Sequence, residues 1–140
     1  MSNPFRVLDI DHVVLRTLDP ERLEKFYTSV LGCPVEKRQE KIGLTQLRAG
    51  RALIDILAVK PEEAASAPHG SATGNMDHLC LRIDPFDPDA VRRHFSGHGV
   101  TVGDVVMRFG AEGSGPSIYL EDPEGNRIEL KGPPTPASGT

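Results

Sequence analysis

Two short stretches carry the residues best suited to chemistry. Residues 11–16 read DHVVLR and residues 77–82 read DHLCLR, so an Asp-His pair recurs with Leu and Arg at the same offsets behind it. Further along, Ile54-Asp55-Ile56 is matched by Ile128-Glu129-Leu130. Two imidazoles, His12 and His78, and two carboxylates, Asp55 and Glu129, therefore occupy duplicated positions. Imidazole nitrogen together with carboxylate oxygen is the donor set that borderline divalent cations favour. A lone strand histidine is more often a hydrogen-bonded structural residue than a ligand. Duplication of both donor types shifts the reading toward a metal centre, with a solvated sheet face as the alternative.

Such groups must be held by strands, and alternation along a strand says where they point. His12, Val14 and Arg16 share one face of the first strand, with Val13 and Leu15 on the other; His78, Cys80 and Arg82 likewise oppose Leu79, Leu81 and Ile83. In the last strands Arg127, Glu129 and Lys131 oppose Ile128 and Leu130, while Asp55 opposes Ile54 and Ile56 and shares its face with Leu53, Leu57 and Val59. The aliphatic face takes a helix. The face with His, His, Asp and Glu, if the sheet curves, forms a cup for a cation, and the basic groups Arg16, Arg82, Arg127 and Lys131 on it are candidates to hold an anionic part of a substrate.

The elements repeat as well. A strand over Leu8–Arg16 leads into a helix announced by Asp19-Pro20 and marked by Leu23, Phe26, Tyr27 and Val30, which Gly32 and Pro34 stop. Strands are predicted over Val35–Gln39, Gly43–Arg48 and Ala52–Val59, with Ala49-Gly50-Arg51 as a hairpin turn. Residues Lys60–Asn75, rich in Pro, Ala, Ser and Gly, read as a flexible linker. A second strand–helix–three-strand series follows: Met76–Ile83, a helix Asp89–Gly97 capped by Asp87-Pro88, then Val100–Arg108, Ser117–Glu121 and Arg127–Lys131. The predicted architecture is α+β, two βαβββ modules in tandem (about 8–59 and 76–131) whose curved mixed sheets surround a metal cup, with a disordered tail at 132–140. His69, His94 and His98 read as exposed.

At 140 residues the chain has the size of one compact domain. With 16 basic and 20 acidic residues it offers no basic stripe for nucleic acid. It contains no membrane-length apolar run and no export signal, and Cys33 and Cys80 form no disulfide framework, so a cytoplasmic protein is expected.

The motifs DHVVLR, RLEKFYTSVLGCPV, DHLCLRI and SIYLEDPEGNRIEL resemble the vicinal oxygen chelate superfamily, over roughly Asp9 to Lys131. That superfamily includes glyoxalases, type I extradiol dioxygenases and bleomycin-binding proteins. The pattern at Phe26, Tyr27, Leu31 and Gly32 and the DPEGNRIEL ending are its most specific marks. The resemblance implies a divalent metal (nickel, zinc, cobalt, manganese or iron) held by His12, His78 and Glu129, with the position of Asp55 the variable one. In lactoylglutathione lyases that position is Glu and binds the metal, and an Asn further along the strand, which helps hold glutathione, is replaced here by Val59. Arg16, four residues after His12, stands where their glutathione-contacting Arg does. The implied activity is a glyoxalase-type isomerisation of a small molecule, a glutathione adduct being one substrate, with Glu129 or Asp55 moving the proton and Arg16, Arg82 and Arg127 binding substrate. The alternatives are an iron(II) extradiol-type dioxygenase, for which a third histidine on the cup face is lacking, and a metal-free small-molecule binding protein. A homodimer is expected, the cup closing within one chain or across two.

Overall fold

The computed structural model describes Pro4 and residues 6–65 and 76–136. The chain divides into two compact units, on either side of Gly70. In the first, β1 (His12–Thr17) is followed by α1 (Pro20–Lys25), a π-helical segment Phe26–Val30, β2 (Val35–Gln39), a 3-10 turn Glu40–Ile42, β3 (Leu44–Ala49), β4 (Ala52–Ala58) and the short α2 (Pro61–Ala65). In the second, β5 (Leu79–Arg82) precedes α3 (Pro88–Gly97), β6 (Val106–Gly110), β7 (Gly113–Glu121) and β8 (Arg127–Lys131). The strand orders are β1-β4-β3-β2 and β5-β8-β7-β6. In each sheet the first strand lies parallel to the last and the remaining pairs are antiparallel. The α+β class and the repeated βαβββ order are as predicted.

The helices start for the same reason in both units. Asp19 accepts a hydrogen bond from the Arg22 amide and Asp87 from the Ala90 amide, both at 3.2 Å, and a proline occupies the first helical turn, where its missing N–H costs nothing. The first helix does not continue as an α-helix. Its bonding widens, Leu31 N donating to Phe26 O at 3.0 Å, which keeps Phe26 and Tyr27 buried together while Val30 is only half-buried. Gly32, at φ +82°, takes the left-handed turn that ends it. The first core comprises Leu15, Leu23, Phe26, Tyr27, Leu47, Ile54 and Ile56; the second comprises Phe95, Ile118, Leu120, Ile128 and Leu130. Each fully buried aliphatic or aromatic side chain contributes about 1.5–3 kcal/mol.

Six expectations are revised. The strand expected from Leu8 begins at His12, and the one expected from Met76 begins at Leu79. Instead of Val100–Arg108, β6 covers Val106–Gly110, and β7 starts at Gly113 rather than Ser117. The linker opens with a helical turn, Pro61–Ala65; its remainder, 66–75 with His69, lies outside the described residues. The tail is not featureless at its start: Gly132 N donates to Pro116 O and Thr135 N to Ser114 O, both at 2.8 Å, so residues 132–135 run beside β7. Residues 137–140 lie outside the described residues. His94 and His98 are exposed, as expected.

Candidate functional site

Strand register places the repeated donors equivalently. Asp55 on β4 pairs with Val14 on β1, and Glu129 on β8 pairs with Cys80 on β5, so each carboxylate stands opposite the residue two beyond its unit's histidine. The central strands bury both carboxylates: Asp55 is 2% exposed and Glu129 5%. A buried carboxylate requires a cation, hydrogen bonds or a proton.

Glu129 is well supplied. Ser117 Oγ donates to Oε2 at 2.6 Å, Tyr119 Oη donates to Oε1 at 3.0 Å, and His78 Nε2 lies 2.9 Å from Oε1. Burial opposes its charge, yet the hydrogen bonds from Ser117 and Tyr119 and the neighbouring His78 outweigh that, so the carboxyl sits below the usual range. On its other side His78 binds Asp77 through Nδ1, at 2.6 Å, and this hydrogen bond lowers Asp77 in turn. Burial first, and then the Glu129 carboxylate, push the Cys80 thiol up to about 11.

Asp55 is poorly supplied. Gln46 Nε2 donates to Oδ2 at 3.1 Å, and Oδ1 is buried without any hydrogen-bond partner. His12 Nδ1 bonds Asp11 at 2.7 Å, just as His78 bonds Asp77. That hydrogen bond raises the His12 imidazole; burial opposes the rise, and the Asp55 charge, a lesser effect, adds to it.

Both histidines thus use Nδ1 on the preceding Asp, which leaves Nε2 as the nitrogen for a ligand, the arrangement metal-binding imidazoles favour. An orphaned buried carboxylate oxygen in one unit, and an imidazole and carboxylate held together by a proton in the other, fit a divalent cation in donor chemistry, since a cation displaces such protons. The structure brings His78 to Glu129 and sets Asp55 where His12 feels its charge. Among the described residues no three His, Cys, Asp or Glu side chains form a metal-holding group.

The basic candidates are engaged. Arg16 Nη2 donates to the Glu63 carbonyl at 3.1 Å, and Arg82 pairs with Glu112 at 2.5 Å, both on exposed groups. Arg127 lies 4.2 Å over the Tyr119 ring and 3.5 Å from Asp77, beside the His78–Glu129 pair. Lys131 is corrected as an anion holder: it is buried and donates to the carbonyls of Arg108 and Gly115.

Sequence reasoning missed Asp11, Asp77, Gln46, Ser117 and Tyr119. The two aspartates had a visible signal, recurrence immediately before each histidine. Gln46 and Tyr119 had a fainter one: they are the cross-strand partners of Asp55 and Glu129 and are therefore equivalent to each other.

Residues 9–130 match the family model for the glyoxalase/bleomycin resistance protein/dioxygenase superfamily. A glyoxalase domain-containing protein of Mycosarcoma maydis is 34% identical over 125 residues, which cover 89% of this chain and 68% of that protein. An integron cassette protein from the mobile metagenome of V. cholerae has a structure with TM-score 0.72 and 27% identity, covering 91% of this chain and 97% of its own. A lactoylglutathione lyase from Agrobacterium tumefaciens shares the fold at TM-score 0.63 and 21% identity, covering 91% of this chain and 95% of its own. Among the described residues no helix is long and apolar enough to cross a membrane. With the match running from just before β1 into β8, through both copies of the repeat, the chain belongs to the glyoxalase/bleomycin resistance protein/dioxygenase superfamily.

Proposed function

We propose that the chain is a divalent-metal-dependent enzyme of glyoxalase type, isomerising a small substrate with two adjacent oxygens, such as a glutathione hemithioacetal. The observation that carries this reading is the buried Asp55 with its unpartnered Oδ1, matched at the same strand position in the other unit by Glu129 against His78. Metal use is common in the superfamily, and His12, Asp55, His78 and Glu129, from one chain or from two, are the residues that would hold the ion. A bound divalent ion supplies a Lewis acid that neutralises negative charge developing on the substrate oxygens.

The chain's own groups supply the rest. A carboxylate moves the proton between neighbouring carbons. Oδ1 of Asp55 has its lone pairs open, whereas Oε1 of Glu129 must first give up hydrogen bonds to do so. Asp11 and Asp77 orient the imidazoles. Arg16, Arg82 and Arg127 hold the anionic end of the substrate. The exposed Arg82–Glu112 pair yields to a substrate anion at little cost, because solvent screens an ion pair at the surface. We expect a homodimer acting in the cytoplasm.

The test is elemental analysis of the purified protein and of His12→Ala, His78→Ala, Asp55→Ala and Glu129→Ala, followed by turnover of the methylglyoxal–glutathione adduct. Near-stoichiometric metal in the wild type, lost in the variants, with isomerisation of the adduct, supports the reading. Metal without isomerisation leaves the metal centre and removes the substrate class. No metal uptake favours a metal-free binding role instead.

A further inference from the structure

The two carboxylates are not held alike, and the difference follows from one position. Ser117 sits on β7 opposite Lys131, two residues before Tyr119; the equivalent residue on β3, two before Gln46, is Leu44. Leu44 has no hydroxyl to give, and Asp55 has no second donor. In the other unit the longer Glu129 reaches past Tyr119, and Ser117, fully buried, takes its Oε2 at 2.6 Å.

That contact selects an oxygen. With Oε2 fixed by Ser117, a carboxylate rotation that would present both oxygens to one partner breaks a short, buried hydrogen bond. Oε1 then remains as the atom beside His78 Nε2, with Tyr119 on its flank at 3.0 Å. Resting on the metal reading above, we infer that Ser117 is a positioning residue that turns Glu129 so that Oε1 alone, with His78 Nε2, takes the cation. The role belongs to the second unit only: Asp55, held by Gln46 on Oδ2, offers Oδ1 without such a lock. The serine and the longer carboxylate form a matched set, as leucine and the shorter carboxylate do in the first unit.

The experiment measures zinc affinity by competition with a chromogenic chelator, and the visible spectrum of the cobalt(II)-loaded protein, for the wild type, Ser117→Ala, Ser117→Cys, Ser117→Thr and Glu129→Ala. Ser117→Ala is expected to weaken zinc binding 10- to 100-fold and to shift the cobalt band as Glu129 becomes free to rotate. Ser117→Thr, which keeps the hydroxyl, is expected to restore both. Ser117→Cys keeps nearly the volume with a poorer donor and falls between, which secures the comparison if the alanine variant fails to fold. Wild-type zinc affinity and an unshifted cobalt band in both Ser117→Ala and Ser117→Cys overturn the inference while leaving the metal centre standing. If the wild type takes up no zinc, or Glu129→Ala binds it undiminished, the metal reading falls and the inference with it.

Discussion

At Asp55, stability and the proposed metal binding pull in opposite directions. A carboxylate 2% exposed has one donor for two oxygens, and an unpaired buried charge costs far more than an unpaired amide. Replacing it with Asn keeps the shape and removes the charge. Asp55→Asn is therefore expected to raise the stability of the metal-free protein by about 1–2 kcal/mol, seen as a rise of a few degrees in Tm, while lowering zinc affinity at least about tenfold. Calorimetry of chelator-treated protein beside a zinc titration checks both halves; a lower melting point with unaltered zinc affinity would make Asp55 a purely structural residue. The aspartates before the histidines give a milder case. Asp77→Asn keeps a hydrogen-bonding group on His78 Nδ1 but removes its charge, and a loss of about 10-fold in zinc affinity with little change in melting temperature is expected.

Among the elements, β7 is closely constrained by the backbone that lies beside it. A Cβ at Gly115 would come within 2.8 Å of the Pro133 carbonyl and 3.2 Å of the Gly132 carbonyl, backbone atoms that cannot rotate aside. Gly115→Ala is expected to cost about 1–3 kcal/mol and to detach residues 132–135 from the strand, which limited proteolysis of the tail would reveal. An unchanged melting curve and an uncut tail would show that the segment shifts freely. The same neighbourhood explains why element limits were harder to read than elements. DHVVLR and DHLCLR announce two strands because they repeat, and Asp19-Pro20 and Asp87-Pro88 announce two helices because capping is local chemistry. The aliphatic Leu8 and Ile10 look equally strand-like, yet β1 pairs with β4, and β4 begins only after the hairpin turn at Gly50, so Leu8 and Ile10 fall outside the ladder. Met76 to His78 fall outside the ladder for the same reason, since β8 starts after the Asp122–Asn126 turn. In that turn Asp122 Oδ1 accepts from the Glu124 and Asn126 amides and Gly125 takes φ +81°, local chemistry that its sequence does reveal. The glycine-rich stretch 110–115 resembles a loop throughout, yet only Ala111 and Glu112 form the turn; Gly110 ends β6 and 113–115 already belong to β7, where Gly115 lets the tail cross close by. The proposed donors stand out in the sequence through duplication. Their supports, Gln46, Ser117 and Tyr119, required the register, which depends on contacts remote in sequence.

For the whole molecule, ligand binding and folding are linked. A cation that binds the folded chain and not the unfolded one stabilises it by roughly 2.7 kcal/mol at a hundredfold excess over Kd. Zinc at that excess is expected to raise the melting temperature by several degrees and a chelator to reverse the rise; the gain should vanish in the double variant His12→Ala/His78→Ala. A gain that survives in the double variant would place the stabilising ion elsewhere on the chain.

The parallel pairing of first strand with last has a kinetic meaning. β2, β3 and β4 join through short turns, as do β6, β7 and β8, whereas pairing His12 with Leu53 closes a loop of roughly 40 residues and Leu79 with Ile128 one of roughly 50. Within its own sheet each of β1 and β5 has one neighbour, so the imidazoles sit on or beside the strands that zip up last and peel off first. Amide hydrogens of Val13, Leu15 and Leu81 should accordingly exchange with deuterium sooner than those of Ile54, Ile56 and Ile128. An ion bridging histidine to carboxylate would rivet each late-arriving edge to its central strand and slow that exchange.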